Sequence, residues 1–487
     1  MLMLSAVFFP MLMGFALFLI KSEDRTRRIY VMIVSCITAV LSIASIFTMQ
    51  GEPPLTLIRL GENLTLSFQI DGLGCIFGTM VSILWPLATL YANEYMSPEH
   101  GKDRFFAFYM AAFGVTLGIA FSANIMTMYL FYELLTLSTL PLVMHELNNK
   151  ARYAGKVYLI YSMSGAALGF IAMVFLIQFG GPTFRFGGSI VRPEGMDPNV
   201  LLLVYLLGFF GFGVKAAVLP GHKWLLRASV APTPVTALLH AVAVVKAGVF
   251  AVMRITWYGF GPELLNGTWA QNVAMGAAIL TIVYASARAL RTKHLKRRLA
   301  WSTVSNLSYI LLGVTIMTPT ALVAALVHMV AHAFFKITLF FDVGAVHYKM
   351  HRDYVPEIEG CGRLMPVVFG TFIVASLGIM GVPPMAGFTS KWMLATSAVE
   401  SGTVLGCCGA VALIISAILT ALYLTQIIML AFFPRKNRTL PETFPRSGRF
   451  DPNYRMTVPL VGISAIAVCL GLAANGAVEL IEQLVIG

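Results

Sequence analysis

Apolar residues occur in runs along the whole chain, and short polar segments separate these runs. A helix that crosses the hydrocarbon layer of a bilayer needs about 20 mainly apolar residues. The pattern therefore predicts an all-α integral membrane protein with about fourteen transmembrane helices. The predicted spans are 2–20, 29–49, 73–93, 104–121, 124–147, 154–180, 199–219, 233–258, 270–287, 299–317, 319–347, 365–399, 404–433 and 456–484.

Two of these spans contain helix-breaking residues. The run 365–399 is too long for one straight helix and is interrupted at Pro383 and Pro384, while the run 199–219 ends at Pro220. Proline removes a backbone donor and clashes with the preceding turn, so we predict that the seventh and twelfth helices are broken. Broken helices at corresponding places in two halves are typical of inverted repeats with ion sites at the membrane midplane.

The two breaks lie five spans apart and predict two inverted five-helix repeats, spans 4–8 and spans 9–13. The first repeat covers 104–258 and the second covers 270–433. The N-terminal part, 1–103, holds three spans and an alternating segment, 52–71, that predicts an extracytoplasmic β-hairpin. One further span, 456–484, follows the repeats. No long polar stretch interrupts the chain, so we expect a single membrane domain over 1–487.

The charged residues between the spans predict the orientation of the chain. The net charge is +12, and with the N-terminus outside the cell, alternate loops on the cytoplasmic side hold 26 of the 34 Lys and Arg residues. The opposite side holds Arg59, Arg185, Arg192 and Arg254. Cytoplasmic loops of membrane proteins are rich in Lys and Arg. We therefore expect a multi-pass protein of the cell (inner or plasma) membrane with both termini outside, and no nucleic-acid partner. The first run has its basic residues after it, the reverse of a cleaved signal, so we expect it to be a retained helix.

Four lysines, Lys215, Lys246, Lys336 and Lys391, lie inside apolar runs together with Glu133. An ionised side chain at the bilayer centre costs roughly 2.5–3.5 kcal/mol on insertion scales, so such residues usually face protein or water. One structural explanation is that the lysines extend to the membrane surface or pair with the glutamate. Four lysines and one deep glutamate cannot all pair, however. Since burial disfavours the charged form of an amine, we expect these groups to carry protons or cations.

Histidines accompany the buried lysines. His328, His332 and Lys336 recur every four residues and lie along one face of a predicted helix, and Asp342 falls close to the same face. Such a row can relay protons, because imidazole both donates and accepts near neutral pH. His240 and Lys246 are six residues apart and do not share a face of a straight helix. A direct relay between them requires a helix break near Gly248, or water.

The chain has no recognisable cofactor site. Its six cysteines form no C-x-x-C pair and do not lie near histidines at metal-ligand spacing. It also lacks a G-x-G-x-x-G loop and a P-loop. We therefore expect no metal and no cofactor in this chain, and we assign any redox reaction to partner subunits.

The motifs around the buried charges closely resemble one family. The most specific match runs Gly213-Val214-Lys215, Leu219-Pro220, His222 and Trp224, then from Ala231 through His240 to Gly248. Further matches are Phe131 to Leu134, Leu295 to Ser305, His332-Ala333-Phe334-Phe335-Lys336, and Gly381 to Phe388 before Lys391. The sequence resembles the antiporter-like membrane subunits shared by complex I, Mrp-type cation/proton antiporters and membrane-bound hydrogenases.

The resemblance implies a role for each charged residue. Glu133 and Lys215 would form a charge pair that gates transfer, Lys246 would be the central proton carrier, and Lys391 would be the exit group. The resemblance further implies that three groups, His328, His332 and Lys336, join two half-channels, with His240 as a further proton-transfer group. Asp342 and His222 are expected modulators.

The sequence also departs from the family. The segment Leu225-Leu226-Arg227-Ala228-Ser229 stands where the family often reads Leu-Pro-Asp-Ala-His, so it lacks both the acid and the histidine. His294 replaces a usual aspartate, and Asp342 occupies a place that is usually small and neutral. The cytoplasmic entry route is therefore left open. The sequence ends just after the fourteenth predicted span, so we expect it to lack the long lateral helix seen in the family's distal members.

The leading hypothesis is a proton-translocating, or cation/proton-exchanging, subunit of a redox-driven pump or of an Mrp-type antiporter. The expected partners are other membrane subunits, with iron–sulfur or other redox subunits as one class, and the lipid bilayer. Both H⁺ and Na⁺ are retained as transported ions. The alternative is a free-standing secondary transporter for a small solute, which broken helices also permit. A scaffold that transports nothing is a third class.

Overall fold

The computed structural model describes residues 1–19, 23–61, 64–434 and 449–486, and most of them are helical. Five basic residues of the predicted cytoplasmic loops lie outside the described residues: Lys21, Arg435, Lys436, Arg438 and Arg446. The helices are α1 Leu2–Ala16, α2 Asp24–Met49, α3 Gly72–Tyr95, α4 Lys102–Ala120, α5 Ile125–Val143, α6 Asn149–Phe179, α7 Pro198–Gly213, α8 Lys223–Ala228, α9 Thr233–Ala241, α10 Val244–Met253, α11 Pro262–Leu265, α12 Trp269–Arg291, α13 Leu295–Thr315, α14 Pro319–Met350, α15 Cys361–Leu364, α16 Pro366–Met380, α17 Ala386–Glu400, α18 Val404–Phe432, α19 Tyr454–Leu472 and α20 Ala474–Val485.

Among the described residues, ten helical stretches are long and apolar enough to cross a membrane. They are α2 to α6, the stretch Thr233–Phe260, α12, α14, α18 and α19. Shorter apolar helices are α1, α7 and α16. The chain is therefore a multi-pass membrane protein, as the apolar runs predict. The last predicted span, 456–484, is divided: α19 ends at Leu472, and the separate helix α20 follows.

Both predicted helix breaks are present. Within the seventh predicted span, 199–219, the helix α7 ends at Gly213, before Pro220, and irregular backbone joins it to the short helix α8. The twelfth is divided into α16 and α17. Gly381 ends α16 in the left-handed conformation, with φ 84°, which a residue without a Cβ adopts at little cost. Each break leaves main-chain groups of a helix end without an intrahelical partner at membrane depth.

A third break divides the predicted span 233–258 between His240 and Lys246. α9 ends at Ala241 and α10 begins at Val244, so the irregular residues are Val242 and Ala243. Gly248, near which a direct relay from His240 to Lys246 would need a break, lies inside α10. A Cβ at Gly248 would lie 2.6 Å from the carbonyl carbon of Lys215. This glycine therefore allows α10 to pack directly against the broken segment after α7.

Main-chain hydrogen bonds sort the connections into two groups at opposite ends of the helices. At one end, the antiparallel hairpin of β1 (Leu55–Arg59) and β2 (Thr65–Phe68) bonds to the α4–α5 connection through Ala123 N and Ser67 O, 3.0 Å apart. At the other end, Leu295 N donates to Asp353 O at 2.8 Å. The hairpin forms within 52–71, as its alternation predicts.

Helix α14 is the centre of the fold. It is 32 residues long, and 94% of the residues in its most apolar 18-residue stretch are buried. It packs against α3, α9, α13, α16, α17 and α19. Gly344 lets α9 approach closely, since a Cβ there would lie 2.3 Å from Thr233 Cγ2. The candidate proton-carrying residues of α14 are therefore surrounded by protein rather than by lipid.

Arg254 and Arg298, which the charge count assigns to the two membrane surfaces, are among the buried arginines instead. Arg254 has 0% exposure, and its guanidinium forms a bidentate ion pair with Asp71, the N-cap residue of α3. Arg298 has 2% exposure and donates to Tyr423 O at 3.0 Å and to Gln426 Oε1 at 2.9 Å. Loop assignment from charge fails here because each arginine has partners far away in sequence that satisfy its guanidinium.

Candidate functional site

The buried lysine Lys246 contacts a histidine of the central helix. Its Nζ lies 3.0 Å from Nδ1 of His332, and both side chains have 0% exposure. Lys246 lies on α10 and faces α14 because the break at Val242 and Ala243 sets the direction of α10. Two basic nitrogens at this distance share one proton, so that one donates while the other accepts. The pair is suited to proton transfer between helices.

His328 continues the row towards the second broken helix. Its ring centroid lies 6.1 Å from that of His332, and its Nδ1 lies 3.0 Å from Ser390 Oγ on α17. The ring also stacks on Tyr309, with centroids 5.3 Å apart. Ser390 precedes Lys391 in sequence. The row therefore connects α10 to α17, although the imidazoles of His328 and His332 do not contact each other directly.

Lys336 lies one turn beyond His332 but points to a different helix. Its Nζ donates to Leu299 O of α13 at 3.2 Å, and the side chain has 0% exposure. Nearby, the His240 ring packs on Phe340 with centroids 4.7 Å apart, and its Nε2 lies 3.4 Å from Ser229 Oγ. Phe340 lies on α14, so His240 packs against the helix that carries the row. The break in α9–α10 thus brings His240 to the central row without a direct contact with Lys246.

Lys215 has the one acidic partner expected from the sequence. Its Nζ lies 3.6 Å from Glu133 Oε1 and 3.4 Å from the centroid of the Tyr132 ring, and it donates to Tyr132 O. Lys215 is 1% exposed, whereas the Glu133 side chain is 22% exposed. A distance of 3.6 Å is an ion pair without a hydrogen bond. Glu133 can therefore move away without breaking a hydrogen bond to the lysine.

Lys391 is bound by main-chain oxygens instead. Its Nζ donates to Ile379 O and, at 3.2 Å, to Met380 O, which are among the last carbonyls of α16. It also lies 5.3 Å from the centroid of the Tyr309 ring. Helix C-terminal carbonyls carry partial negative charge and attract cations. The break at Pro383 and Pro384 brings this end of α16 to the lysine.

The remaining candidates lie away from the row. Asp342 is 1% exposed, accepts a 2.7 Å hydrogen bond from Thr371 Oγ1, and lines a cavity of about 10 Å³. The His222 ring packs against Trp301 at 5.3 Å, on the α12–α13 side of the broken segment near Pro220. Among the described residues, no group of three or more His, Cys, Asp or Glu side chains is placed to hold a metal.

Sequence reasoning did not identify the polar groups that connect the titratable ones. Ser390 gives no signal on its own, whereas Ser229 stands where the family often has histidine, a departure that marks the position without revealing its contact with His240. The buried pair Asp71–Arg254 could have been suspected, because Arg254 lies inside the predicted span 233–258 and needs a carboxylate. Its partner is 183 residues away, so the sequence does not identify it.

Comparisons with known proteins agree with this architecture. The family model described as "NADH:quinone oxidoreductase/Mrp antiporter, TM" matches residues 122–420, more than half of the chain. The model "NADH-Ubiquinone oxidoreductase (complex I), chain 5 N-terminus" matches residues 58–106. Together they cover most of the residues discussed above.

Curated relatives carry names of the same kind. A protein of Rhizobium meliloti named as a probable K⁺/H⁺ antiporter subunit is 31% identical over 85% of this chain and 40% of its own length. The NADH-quinone oxidoreductase subunit L of Mycobacterium tuberculosis is 29% identical over 88% of this chain and 66% of its own length. Subunit N of the same enzyme from Desulforudis audaxviator is 29% identical over 83% of this chain and 81% of its own length. The chain thus spans two fifths to about two thirds of the first two relatives.

Two solved structures share the fold along nearly the whole chain. A chain of the Mrp complex from Dietzia sp. DQ12-45-1b superposes with a TM-score of 0.85 and 20% identity, covering 99% of this chain and 97% of that one. A chain of the archaeal membrane-bound sulfane sulfur reductase superposes with a TM-score of 0.83 and 19% identity, covering 98% and 95%. The fold and the family-model matches lead to one conclusion: this chain belongs to the NADH:quinone oxidoreductase/Mrp antiporter transmembrane family.

Proposed function

We propose that this chain is the proton-translocating, or cation/proton-exchanging, membrane subunit of a multisubunit complex. The observation that carries the proposal is the 3.0 Å contact between Lys246 and His332 at 0% exposure. An uncompensated ammonium in such surroundings is costly unless it can give up its proton. A neighbouring imidazole is a ready acceptor, because it binds and releases protons near neutral pH.

Transfer along the row needs no cofactor. When Lys246 donates, an N–H bond of the ammonium breaks and an N–H bond at His332 Nδ1 forms. The proton then passes to His328, through an intervening water or a ring movement across the 6.1 Å separation of the two centroids. Ser390 links His328 to the helix that carries Lys391, from which the proton leaves.

Glu133 and Lys215 supply the control in this proposal. With Glu133 close, the ammonium of Lys215 is compensated and repels other cations less. When Glu133 moves away, the uncompensated charge of Lys215 disfavours a second positive charge on Lys246. The loading of Lys246 would thus follow the position of Glu133.

The finer architecture forms part of the proposal. We count fourteen membrane crossings if each broken helix is one crossing, and we assign spans 4–8 and 9–13 to two inverted repeats. The connection before α7 lies at the hairpin end of the molecule, where Phe184 N donates to Ala123 O at 2.8 Å. The connection before α16 lies at the other end, where Gly360 N donates to Leu430 O at 3.1 Å. The two broken helices thus start from opposite ends, which supports inversion.

The partners we propose are further membrane subunits, because the relatives above are named as subunits of antiporters and quinone oxidoreductases. A free-standing solute transporter is less well supported, since the buried polar groups of the row are mainly titratable side chains. Copurification in mild detergent tests this point. Iron–sulfur or other redox subunits would select a redox-driven pump, and small membrane subunits alone would select an antiporter. A chain purified without any partner would contradict the assignment to a complex.

Proton movement in sealed vesicles tests the role of Lys246. Lys246→Met removes the titratable group at 0% exposure, so we expect proton movement at the background level with normal insertion and assembly. Lys223→Met makes the same chemical change at an exposed lysine of α8 and serves as the matched control, with wild-type transport expected. Wild-type transport by Lys246→Met would contradict the proposal.

A further inference from the structure

A polar cavity opens at the end of the molecule that we predict to be cytoplasmic. Its volume is about 290 Å³, and it lies where the α3–α4, α5–α6, α8–α9 and α12–α13 connections meet the end of α14. These connections belong to the loops that hold most of the Lys and Arg residues. The cavity is thus large enough for several water molecules.

The wall of the cavity carries groups that bind and release protons. Three carboxylates, two histidines and three cations line it: Glu99, Glu146, Asp353, His294, His347, Lys150, Lys296 and Arg297. A hydrogen bond from His347 holds the pKa of Asp353 below its usual range, and burial lowers the pKa of His294. Asp353 therefore stays ionised at physiological pH and adds negative charge to the wall, whereas His294 is neutral and can accept a proton from cytoplasmic water.

Ser229 forms the inner wall of the cavity and contacts His240. The serine is 6% exposed, and its Oγ lies 3.2 Å from Leu225 O and 3.4 Å from His240 Nε2. A hydroxyl has one proton and here two possible acceptors, between which it can rotate. Ser229 therefore separates the water-accessible cavity from an imidazole that has 0% exposure.

His240 faces the central row on its other side. Its ring packs on Phe340 of α14, one turn beyond Lys336. No described contact of His240 reaches the cavity except the one through Ser229. The serine is thus the described polar link between the cavity and the row.

We propose that this cavity is the cytoplasmic proton-entry vestibule of the chain and that Ser229 relays protons from it to His240. The inference rests on the proposed function and names the entry site that the sequence leaves open. In each step, a protonated water (H₃O⁺) in the cavity donates a proton to Ser229 Oγ while the hydroxyl proton passes to His240 Nε2. An O–H bond of the hydronium breaks as a new one forms at Oγ, and the original Oγ–H bond breaks as an N–H bond forms at His240. The hydronium becomes neutral water, the serine is unchanged and the imidazole gains the proton.

The relay is tested by proton movement in sealed vesicles that carry the assembled complex. Ser229→Ala removes the hydroxyl, and we expect the initial rate to fall by at least about tenfold. Ser229→Thr keeps the hydroxyl and should restore most of the rate, a rescue that a purely structural role would not show. Ser42→Ala removes a hydroxyl from a buried serine of α2 and is the matched control, with wild-type transport expected.

The outcomes separate the two proposals. If Ser229→Ala transports at the wild-type rate while Lys246→Met is inactive, the proposed entry through Ser229 is wrong and the proposed function stands. If both variants transport normally, the proposed function falls.

A labelling experiment keeps the test independent of folding of the alanine variant. In a background without native cysteines, Ser229→Cys should react with a small charged thiol reagent from the cytoplasmic side, and the reaction should block transport. Absence of reaction from that side would contradict the proposal that the cavity is the entry vestibule.

Discussion

The two broken helices each place a lysine inside the membrane, but they compensate its charge in different ways. Lys215, after α7, lies 3.6 Å from the carboxylate of Glu133. Lys391, after the break that ends α16, donates to the carbonyls of Ile379 and Met380. Both ammonium groups also lie over a tyrosine ring, at 3.4 Å and 5.3 Å from its centroid. The aromatic contact is therefore common to both sites, and the difference lies in the anionic partner.

This difference separates a switchable site from a fixed one. A carboxylate on a side chain can rotate away, and Glu133 is 22% exposed and not hydrogen-bonded to Lys215. Carbonyls at the end of a helix cannot leave without unwinding it, and they supply about half a negative charge to the cation. We infer that Lys215 responds to a moving charge, whereas Lys391 lies in a constant field and releases protons passively.

The largest effect on stability should come from the switchable site. Glu133→Gln removes the carboxylate and leaves the 1%-exposed Lys215 without an anion. Breaking a fully buried pair costs about 3–5 kcal/mol, and partial exposure of Glu133 reduces our expectation to on the order of 2 kcal/mol. Thermal unfolding in detergent measures the loss.

A double variant provides the control for this pair. Glu133→Gln combined with Lys215→Gln removes both charges and should recover most of the lost stability. If the two single losses simply add in the double variant, the residues are not coupled, and the contrast between the sites loses its basis.

The fixed site should respond more weakly. Lys391→Gln leaves no bare carboxylate, and its amide can still donate to Met380 O, so we expect a loss of about 1 kcal/mol. Lys391→Arg should keep the bonds to the carbonyls and the stability, yet stop proton release because a guanidinium does not deprotonate. The same thermal assay, paired with proton movement in vesicles, measures both. A loss for Lys391→Gln as large as that for Glu133→Gln would remove the distinction.

The orientation experiment should not disturb the protein at all. If the repeats are inverted, the two broken helices start from opposite sides of the membrane. Single cysteines at the exposed positions Lys293 and Arg59 should react from the cytoplasmic and the outer side respectively, with normal transport. Reaction of the Lys293 probe from outside intact cells would show the opposite orientation. It would then contradict the assignment of the cavity to cytoplasmic proton entry.

Local sequence signals predicted the elements well. Apolar runs found the membrane helices, Pro220 and Pro383 marked the two breaks, and alternation found the hairpin in 52–71. Each of these features depends on neighbours within a few residues. The proximity of Glu133 and Lys215 was also expected, although through the family resemblance rather than through a local pattern.

Features that depend on tertiary contacts could not be predicted from the sequence. The break between α9 and α10 falls at Val242 and Ala243, neither of which is a helix breaker, so packing rather than propensity must place it. The contact of Lys246 with His332 joins residues 86 apart. The charge count assigned Arg254 to the outer side, and its partner Asp71 lies 183 residues away, so the sequence did not reveal the buried pair. Pairings at such distances follow from the assembled bundle and not from the residues around each member.

The most direct test of the central claim is proton movement in vesicles carrying Lys246→Arg. Arginine keeps a positive charge and a donor beside His332, but it does not release its proton at physiological pH. The account predicts proton movement at the background level, with subunit composition and membrane insertion equal to those of the wild type. Proton movement at the wild-type rate would contradict it, because the charge state of residue 246 could then not change during transport.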